Sequence, residues 1–236
     1  MKLKLQQFGG RGQSNPKGGG DGFDRKGVTK LQDGSETIDL SDSPLRYGKN
    51  DKALDGARRA AVELFESRYV GAKVENGATF DANGMITEQR RGGKGSVKTS
   101  VSKYNAADTF SHNHPRGQGI LGGTFSEADL SNFSVFDVTT ARAAAKEGTY
   151  SISKHWGKFD STGFQQYYKG EYARIKKEYN TTFRSLNKRM TSNQMEYDTY
   201  SREFTKTINK QLVELHNVLI SGQKKYGYSY TLERRK

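Results

Sequence analysis

The sequence predicts an α+β fold in which a β-sheet is flanked by helices. Apolar residues recur at helical spacing over residues 51–69. Several segments between residues 70 and 155 instead alternate apolar and polar residues, as half-buried strands do. From residue 161 to about residue 225 the helical spacing returns, with an unusual number of aromatic residues. The chain therefore divides into strands in its middle and helices on either side.

Composition limits the size of the core and the classes of function. The chain has 236 residues, but only 32% are hydrophobic and the mean hydropathy is −0.90, so part of it is expected to be extended, disordered or partner-bound. The absence of Cys excludes disulfides, a thiolate nucleophile and cysteine zinc fingers. The net charge of +13 favours a polyanionic partner or an anionic cavity. There is no apolar run for a membrane span and no apolar core of a secretory signal, so neither is expected.

The first half of the chain contains an arm, a helix and three candidate strands. Residues 1–48 are rich in Gly, Ser, Asp and Lys and are predicted to form a flexible arm. A helix follows over residues 51–69. Strands are predicted from residue 74 and, after the turn signal at residues 81–84, from residue 85. Residues 96–101 alternate Val with polar residues and predict a third strand.

The second half begins with a strand over residues 106–114. A Gly-rich loop follows, and Thr124 or Ser126 is expected to begin a helix that runs to about Asp137. Residues 138–146 are predicted to continue this helix or to form a short strand, and residues 149–153 to form a strand. A helical hairpin is predicted over residues 159–225, with a bend near residues 191–193. A terminal strand within residues 226–236 is predicted to pack on the sheet.

The strand over residues 106–114 carries the most informative motif, His112 and His114 followed by Pro115. Side chains at i and i+2 of a strand point to the same face, so the two imidazoles can bind one ion. Asp129 could supply a third ligand. Two His and one carboxylate, with a fourth position left for water, are typical of catalytic zinc.

Asp129 also has a purely structural interpretation. Ser126 and Asp129 have the spacing of a capping box, in which the Ser hydroxyl and the acid at N3 satisfy backbone N–H groups at a helix start. The sequence does not separate this interpretation from metal binding. Glu88, upstream of the histidines, is a candidate general base for hydrolysis.

The order of Glu88, His-x-His-Pro and Ser-x-x-Asp resembles the JAB/MPN, or JAMM, metallopeptidase family. The His-Asn-His-Pro sequence at residues 112–115 is most similar to its RadC-like branch. The resemblance implies a mixed, curved β-sheet with flanking helices over residues 49–158. It implies that His112, His114 and Asp129 bind Zn²⁺, that Glu88 is the base and that Ser126 helps to hold the oxyanion. The implied reaction is hydrolysis of a peptide or isopeptide bond.

A second resemblance involves the ends of the chain. The Leu-Gln-Gln-Phe-Gly-Gly-Arg-Gly run at residues 5–12 is similar to the openings of tailed-phage head proteins. The segments at 147–152 and 226–230 resemble parts of a module attached to phage minor head proteins. This resemblance implies a location in the virion or host cytoplasm, and capsid, portal or other head proteins as partners.

The basic C-terminal part offers a non-enzymatic alternative, that of a structural or cargo protein of a capsid that contacts DNA. Residues 163–236 carry 15 Lys or Arg against 7 Asp or Glu, interleaved with Tyr. Such a segment can bind phosphates and stack on exposed bases without reading sequence. The opposing interpretation is that the Tyr stripe is a buried helix face and the charges are its solvated side. The candidate DNA-binding residues are Arg174, Lys176, Lys177, Lys188, Arg189, Arg234, Arg235 and Lys236.

Overall fold

The computed structural model describes residues 28–30, 36–38, 51–115 and 122–234. The predicted arm over residues 1–48 lies outside the described residues, apart from two short strands. The described elements are β1 (Val28–Lys30), β2 (Glu36–Ile38), α1 (Asp51–Tyr69), β3 (Asn76–Phe80), β4 (Ile86–Arg91), α2 (Val101–Asn105), β5 (Thr109–Asn113), α3 (Glu127–Val135), β6 (Thr140–Ala145), β7 (Gly148–Lys154), α4 (Ser161–Thr191), α5 (Tyr197–Tyr226) and β8 (Tyr228–Arg234).

Six of the strands form one sheet in the order β4-β3-β5-β6-β7-β8, and β1 and β2 form a separate antiparallel pair. Within the six-stranded sheet β5 and β6 are parallel, whereas the other neighbouring strands are antiparallel. The predicted α+β class with a mixed sheet is therefore confirmed. The histidine strand β5 lies inside the sheet, with β3 on one side and β6 on the other.

Helix α1 covers one face of the sheet because its apolar residues recur on one side. Phe65 packs edge-on against Phe80 with a centroid separation of 5.9 Å. The cluster around them is small and fully buried: Ala61, Val62, Phe65, Tyr69, Ala78, Phe80 and Ile86. Burial of each large side chain in such a cluster contributes about 1.5–3 kcal/mol.

The larger core lies on the opposite face, where α3, α4 and α5 pack. Tyr168 and Tyr172 of α4 are one helical turn apart and are both essentially inaccessible. The Tyr172 hydroxyl donates to the carbonyl of Phe125 at 3.0 Å, and the Tyr228 hydroxyl donates to that of Leu219 at 2.7 Å. Because these rings lie inside the core, they are not available to stack on nucleic-acid bases.

Helices α4 and α5 are joined by five residues and pack against each other. Asn193 in the connection has a φ of 54°, a left-handed conformation that Asn tolerates better than most residues. Gly227 ends α5 with a φ of 70° and turns the chain into β8, which pairs with β7 at the sheet edge. None of the described helices is long and apolar enough to cross a membrane.

The strand predicted over residues 96–101 is wrong. Val97 and Thr99 are buried and Lys98 is exposed, which explains the alternation. However, the backbone of this segment joins no sheet ladder, and α2 begins at Val101. Ser100 instead donates its N–H and its hydroxyl to the carboxylate of Glu88, each at 2.8 Å. The segment 138–146, left open between helix and strand, forms β6 over Thr140–Ala145.

A buried ion pair ties α1 to the sheet. The Glu66 carboxylate accepts hydrogen bonds from Arg142 at 2.6 and 3.1 Å, from Ser111 at 2.9 Å and from Thr149 at 3.1 Å. Arg142 also reaches Glu233 of β8 at 3.3 Å. A buried carboxylate is tolerated only when it is paired and hydrogen-bonded, as it is here.

We expect Glu66→Gln to lower the free energy of unfolding by about 3 kcal/mol, because it leaves the largely buried Arg142 guanidinium without its main partner. Denaturant unfolding would measure the change. Glu63→Gln is the matched control, since Glu63 pairs with Arg59 on the exposed face of the same helix and should change stability by less than about 1 kcal/mol. Equal losses in both variants would contradict a structural role for the buried pair.

Candidate metal centre

The two histidines come from the central strand of the sheet. His112 lies in β5, and the N–H of His114 donates to Ala144 of β6 at 2.8 Å, so the ladder continues through His114. The imidazoles therefore share a face, as their i, i+2 spacing predicts. Their Nε2 atoms are 2.8 Å apart, and the two residues are only 1% and 8% exposed.

Asp129 reaches the same point from the first turn of α3, whose N-cap is Ser126. Its Oδ2 accepts the Ser126 N–H at 2.7 Å, and its own N–H donates to the Ser126 hydroxyl at 3.2 Å. Its Oδ1 is buried, makes no hydrogen bond and lies 3.4 Å from His112 Nε2. Its Oδ2 lies 3.7 Å from His114 Nε2. The two interpretations of the Ser-x-x-Asp motif are therefore compatible, because the carboxylate that completes the capping box also lies beside both histidines.

The three side chains fit a metal ion. Each offers one ligand atom, and these atoms lie within 4.8 Å of one another. The Nε2 atoms are 2.8 Å apart, His112 Nε2 is 3.4 Å from Asp129 Oδ1, and His114 Nε2 is 3.7 Å from Asp129 Oδ2. Ligands about 2.0–2.1 Å from a tetrahedral zinc lie roughly 3.3 Å apart, so small shifts would bring two imidazoles and one carboxylate oxygen into range. An ion would also give the buried Oδ1 of Asp129, which makes no hydrogen bond, a partner.

The electrostatics of Asp129 favour its charged form. Burial alone would raise the pKa of the carboxyl, but the neighbouring His112 and His114 outweigh this effect and hold the pKa well below its usual range. Asp129 is thus a carboxylate, the form that binds a metal.

A backbone carbonyl fixes the orientation of His114. Its Nδ1 lies 3.1 Å from the carbonyl oxygen of Gly123. A proton on Nδ1 donates to this oxygen, which leaves Nε2 with a lone pair directed at Asp129 and His112. Metal-binding histidines commonly use their second nitrogen in this way.

Glu147 holds the loop that carries this carbonyl. Its carboxylate accepts the N–H groups of Gly122 and Gly123 at 2.9 and 2.8 Å and the Tyr150 hydroxyl at 2.8 Å. Burial opposes ionisation of Glu147, but these hydrogen bonds prevail and lower its pKa. The acid therefore stays charged and anchors the loop between β5 and α3.

The C-terminal elements support the same loop from outside. Gly123 has a φ of +83°, and a Cβ there would lie 2.7 Å from Leu212 of α5. Only Gly fits this left-handed backbone and close approach without strain. The Thr124 hydroxyl bonds that of Tyr230 in β8, whose oxygen also contacts His216 of α5 at 2.9 Å. The helical hairpin and β8 thus help to position the Gly123 carbonyl against His114.

Glu88, the predicted base, lies outside the group of three ligands. Glu88 of β4 pairs with Thr79 of β3, and Thr79 pairs with Phe110 of β5. Glu88 is therefore two strands away from β5, in register with Phe110, which precedes His112 by two residues. Its Oε1 accepts Arg90 at 2.7 Å and the Ser100 hydroxyl, and its Oε2 accepts the Ser100 N–H. Both oxygens are engaged in positioning the chain before α2. The role of Glu88 as base stays a prediction.

Glu75 is a buried acid near the histidines that was not among the predicted site residues. Gly77 of β3 pairs with His112, and backbone bonds from Glu75 to Gly92 and Gly93 extend the β3–β4 ladder by one residue. The β3–β5 pairing ends at Gly77, and the Asn76 N–H donates to the Asn113 side chain at 2.6 Å. If the same antiparallel register is continued by two residues, Glu75 corresponds to His114 and shares its face. Glu75 is 5% exposed. An acid in a predicted buried strand that starts at residue 74 was the available signal.

Ser126 is the N-cap residue of α3 and lies beside Asp129, as the capping-box spacing predicts. Its hydroxyl oxygen accepts the Asp129 N–H, so the hydroxyl proton remains for donation to another group. This is the polarity that an oxyanion-stabilising residue requires.

The predicted DNA-binding residues are scattered, and two are neutralised locally. Arg174 pairs with Glu171 and Glu178, and Lys176 pairs with Glu127 at 2.7 Å. Exposed positions without ion pairs among the described residues are Lys177, Lys188 and Arg189. The side chain of Arg234, and Arg235 and Lys236 entirely, lie outside the described residues.

Comparison with protein-family models, with curated proteins and with solved structures found no match to this chain. The geometry of the His112, His114 and Asp129 centre is therefore the basis for inferring function.

We expect the protein to bind about one Zn²⁺ per chain, since three ligand atoms already lie close together. His112→Ala and Asp129→Ala should each weaken affinity by at least about ten-fold, as measured by elemental analysis after dialysis and by competition with a chromophoric chelator. His155→Ala is the control, because His155 is exposed and bonds Ser229. Full metal occupancy in the double variant His112→Ala/His114→Ala would contradict the assignment.

Proposed function

We propose that this protein is a zinc-dependent hydrolase that cleaves peptide or isopeptide bonds. The observation that carries the proposal is the buried set of His112, His114 and Asp129, in which the Asp129 Oδ1 lies 3.4 Å from His112 Nε2 and makes no hydrogen bond. Two imidazoles and a carboxylate suit Zn²⁺ and leave a coordination position open. A zinc ion held there supplies a Lewis acid that makes water acidic near neutral pH.

The chain's own residues supply the proton transfers. We assign the general base to Glu75 rather than to Glu88, because Glu75 directly precedes β3, whose Gly77 pairs with His112, whereas Glu88 lies on β4, one strand further from β5. The Glu75 carboxylate accepts a proton from water as the water oxygen bonds the substrate carbonyl carbon. It then delivers that proton to the leaving nitrogen as the C–N bond breaks. The Ser126 hydroxyl donates to the oxyanion.

This assignment departs from the family resemblance, which implies Glu88 as the base. With Glu75 as the acid, the order along the chain is α1, Glu75 directly before β3, then β4, α2, the His-x-His segment at β5, and α3 with the Ser-x-x-Asp motif at its start. We propose on this resemblance that residues 49–158 form a JAB/MPN-like unit. The similarity of residues 5–12 to phage head proteins is the basis for proposing a virion protein with capsid or portal partners.

Glu75→Gln should reduce hydrolysis by about 10²–10⁴-fold while zinc stays bound, because it removes a base and not a ligand. Glu88→Gln is the paired variant and should retain most activity, with lower stability from the weakened link to Ser100. The measurement is cleavage of a random peptide library and of a Lys-linked isopeptide probe, read by mass spectrometry, with zinc content determined in parallel. Loss of activity in Glu88→Gln alone would restore Glu88 as the base. If zinc-loaded wild type cuts neither probe, the hydrolase proposal is wrong.

A second candidate function, contact with DNA, is favoured by a different surface from the one predicted. Arg202, Lys206 and Lys210 are exposed at successive four-residue intervals of α5, and no described carboxylate forms an ion pair with them. They form a basic stripe about 12 Å long, since each residue adds 1.5 Å. Cations in such a row bind phosphates with a strong dependence on salt.

If the α5 stripe contacts DNA, replacing Arg202, Lys206 and Lys210 by Gln should weaken duplex binding at low salt by at least about ten-fold and lower the salt slope. The matched variant replaces three of the predicted DNA-binding residues of α4, Lys177, Lys188 and Arg189, by Gln, and so removes the same number of positive charges. Filter binding at two salt concentrations distinguishes them. Greater loss in the tail variant would favour the predicted surface, and no binding by wild type would exclude both.

A further inference from the structure

A groove of about 710 Å³ lies between the sheet domain and the helical hairpin. Its lining includes Lys73 and Lys94 from the sheet domain, Pro115 from the end of β5, and Phe183, Phe204 and Leu212 from α4 and α5. Its volume is within the usual range of ligand sites, about 300–1,000 Å³. Neither half of the chain forms this groove alone.

The groove adjoins the metal centre through three connections. Pro115 directly follows the ligand His114, and Lys73 precedes Glu75 by two residues. Leu212 packs beside Gly123, whose carbonyl orients His114. A chain lying in the groove would therefore contact residues next to or near His114 and Glu75 in the sequence, and Leu212 beside Gly123.

The hairpin side of the groove is mostly apolar, with Gln211 as its one polar residue among those described. The rings of Phe183 and Phe204 have centroids 5.0 Å apart and are tilted by 50°. With Ile208 and Leu212 they form a concave surface rather than a flat platform. Such a surface fits a bulky aliphatic or aromatic side chain better than a stacked base, which needs an open ring face.

The sheet side of the groove is cationic. Lys73 and Lys94 are both exposed, and no described residue forms an ion pair or hydrogen bond with either. No acidic residue is among the described residues that line the groove. Two ammonium groups facing an apolar surface select a ligand with carboxylates close to a large apolar side chain.

We infer that this groove binds an extended acidic peptide segment in which one or two large apolar residues are flanked by Asp or Glu. The inference rests on the proposed function, since it identifies the groove as the binding site for the substrate chain. The apolar side chain occupies the surface formed by Phe183, Phe204 and Leu212, and the acidic side chains face Lys73 and Lys94. The helical hairpin thus selects the apolar side chain, and Lys73 and Lys94 of the sheet domain select the acidic ones.

Peptide binding tests this inference without relying on catalysis. The probe is a fluorescein-labelled octapeptide with Leu-Phe at its centre and acidic residues on both sides. Two matched probes replace the acids by Lys or Leu-Phe by Ser-Ser. Anisotropy with full-length, chelator-treated wild type should show binding of the first probe at least about ten-fold tighter than of either other probe.

Variants at the rim of the groove make the test specific. Lys73→Glu/Lys94→Glu should lose at least about ten-fold in affinity for the acidic probe and gain affinity for the Lys probe. Lys98→Glu is the control, because Lys98 is exposed on the same domain but does not line the groove. It should leave binding unchanged. Thermal melting of each variant verifies folding.

The outcomes separate this inference from the proposed hydrolase. Equal binding of the three probes, insensitivity to the double reversal, or tighter binding of single-stranded DNA that competes with the acidic probe would each overturn the groove assignment. Cleavage of all three probes alike by zinc-loaded protein would also overturn it while leaving the hydrolase intact. Charge-dependent binding without any cleavage would support the groove and count against the hydrolase.

Discussion

Two imidazoles and a carboxylate buried side by side are the constraint on which the surrounding structure depends. Polar groups in a protein interior cost free energy unless they are paired, and here His112, His114 and Asp129 lie against an apolar cluster. The capping box satisfies one oxygen of Asp129, and the Gly123 carbonyl satisfies His114. The second oxygen of Asp129, Oδ1, makes no hydrogen bond and lies 3.4 Å from His112 Nε2. That arrangement is expected of a centre preorganised for a cation.

The candidate metal centre and the polar network that attaches α1 lie on opposite faces of the sheet. Residues of β5 alternate between faces, so Ser111 and His112 belong to different environments. Ser111 joins the Glu66–Arg142 network beneath α1, in which every carboxylate oxygen is paired. His112 faces α3, where an oxygen is left free. A fully paired polar network stabilises the attachment of α1, whereas a partly paired one provides a binding site.

The C-terminal hairpin is part of the same functional unit rather than an appendage. Its tyrosines fill the core over the sheet, and Tyr172 and Tyr230 bond the segment that leads from His114 to Ser126. Leu212 occupies the space beside Gly123. Helices α4 and α5 therefore help to set the orientation of His114 through the Gly123 carbonyl, and they also form one wall of the adjoining groove. A change in the hairpin can affect both, because the same residues serve both purposes.

The sequence by itself determined the features that depend on local geometry. The i, i+2 spacing places His112 and His114 on one face, the Ser-x-x-Asp spacing caps α3, and helical spacing predicts α1. The tertiary structure decided what depends on distant pairing. The register of β3 against β5 pairs Gly77 with His112, so Glu75, two residues before Gly77, lies nearer in this ladder to the histidines than Glu88 of β4. Glu88 instead bonds Ser100, in the segment predicted to be a strand. The tertiary structure also showed that Asp129 can cap a helix and face the histidines at once. Local spacing fixes which side chains share a face, but strand register and helix docking are set by contacts between residues far apart in the chain, and these decide which faces meet.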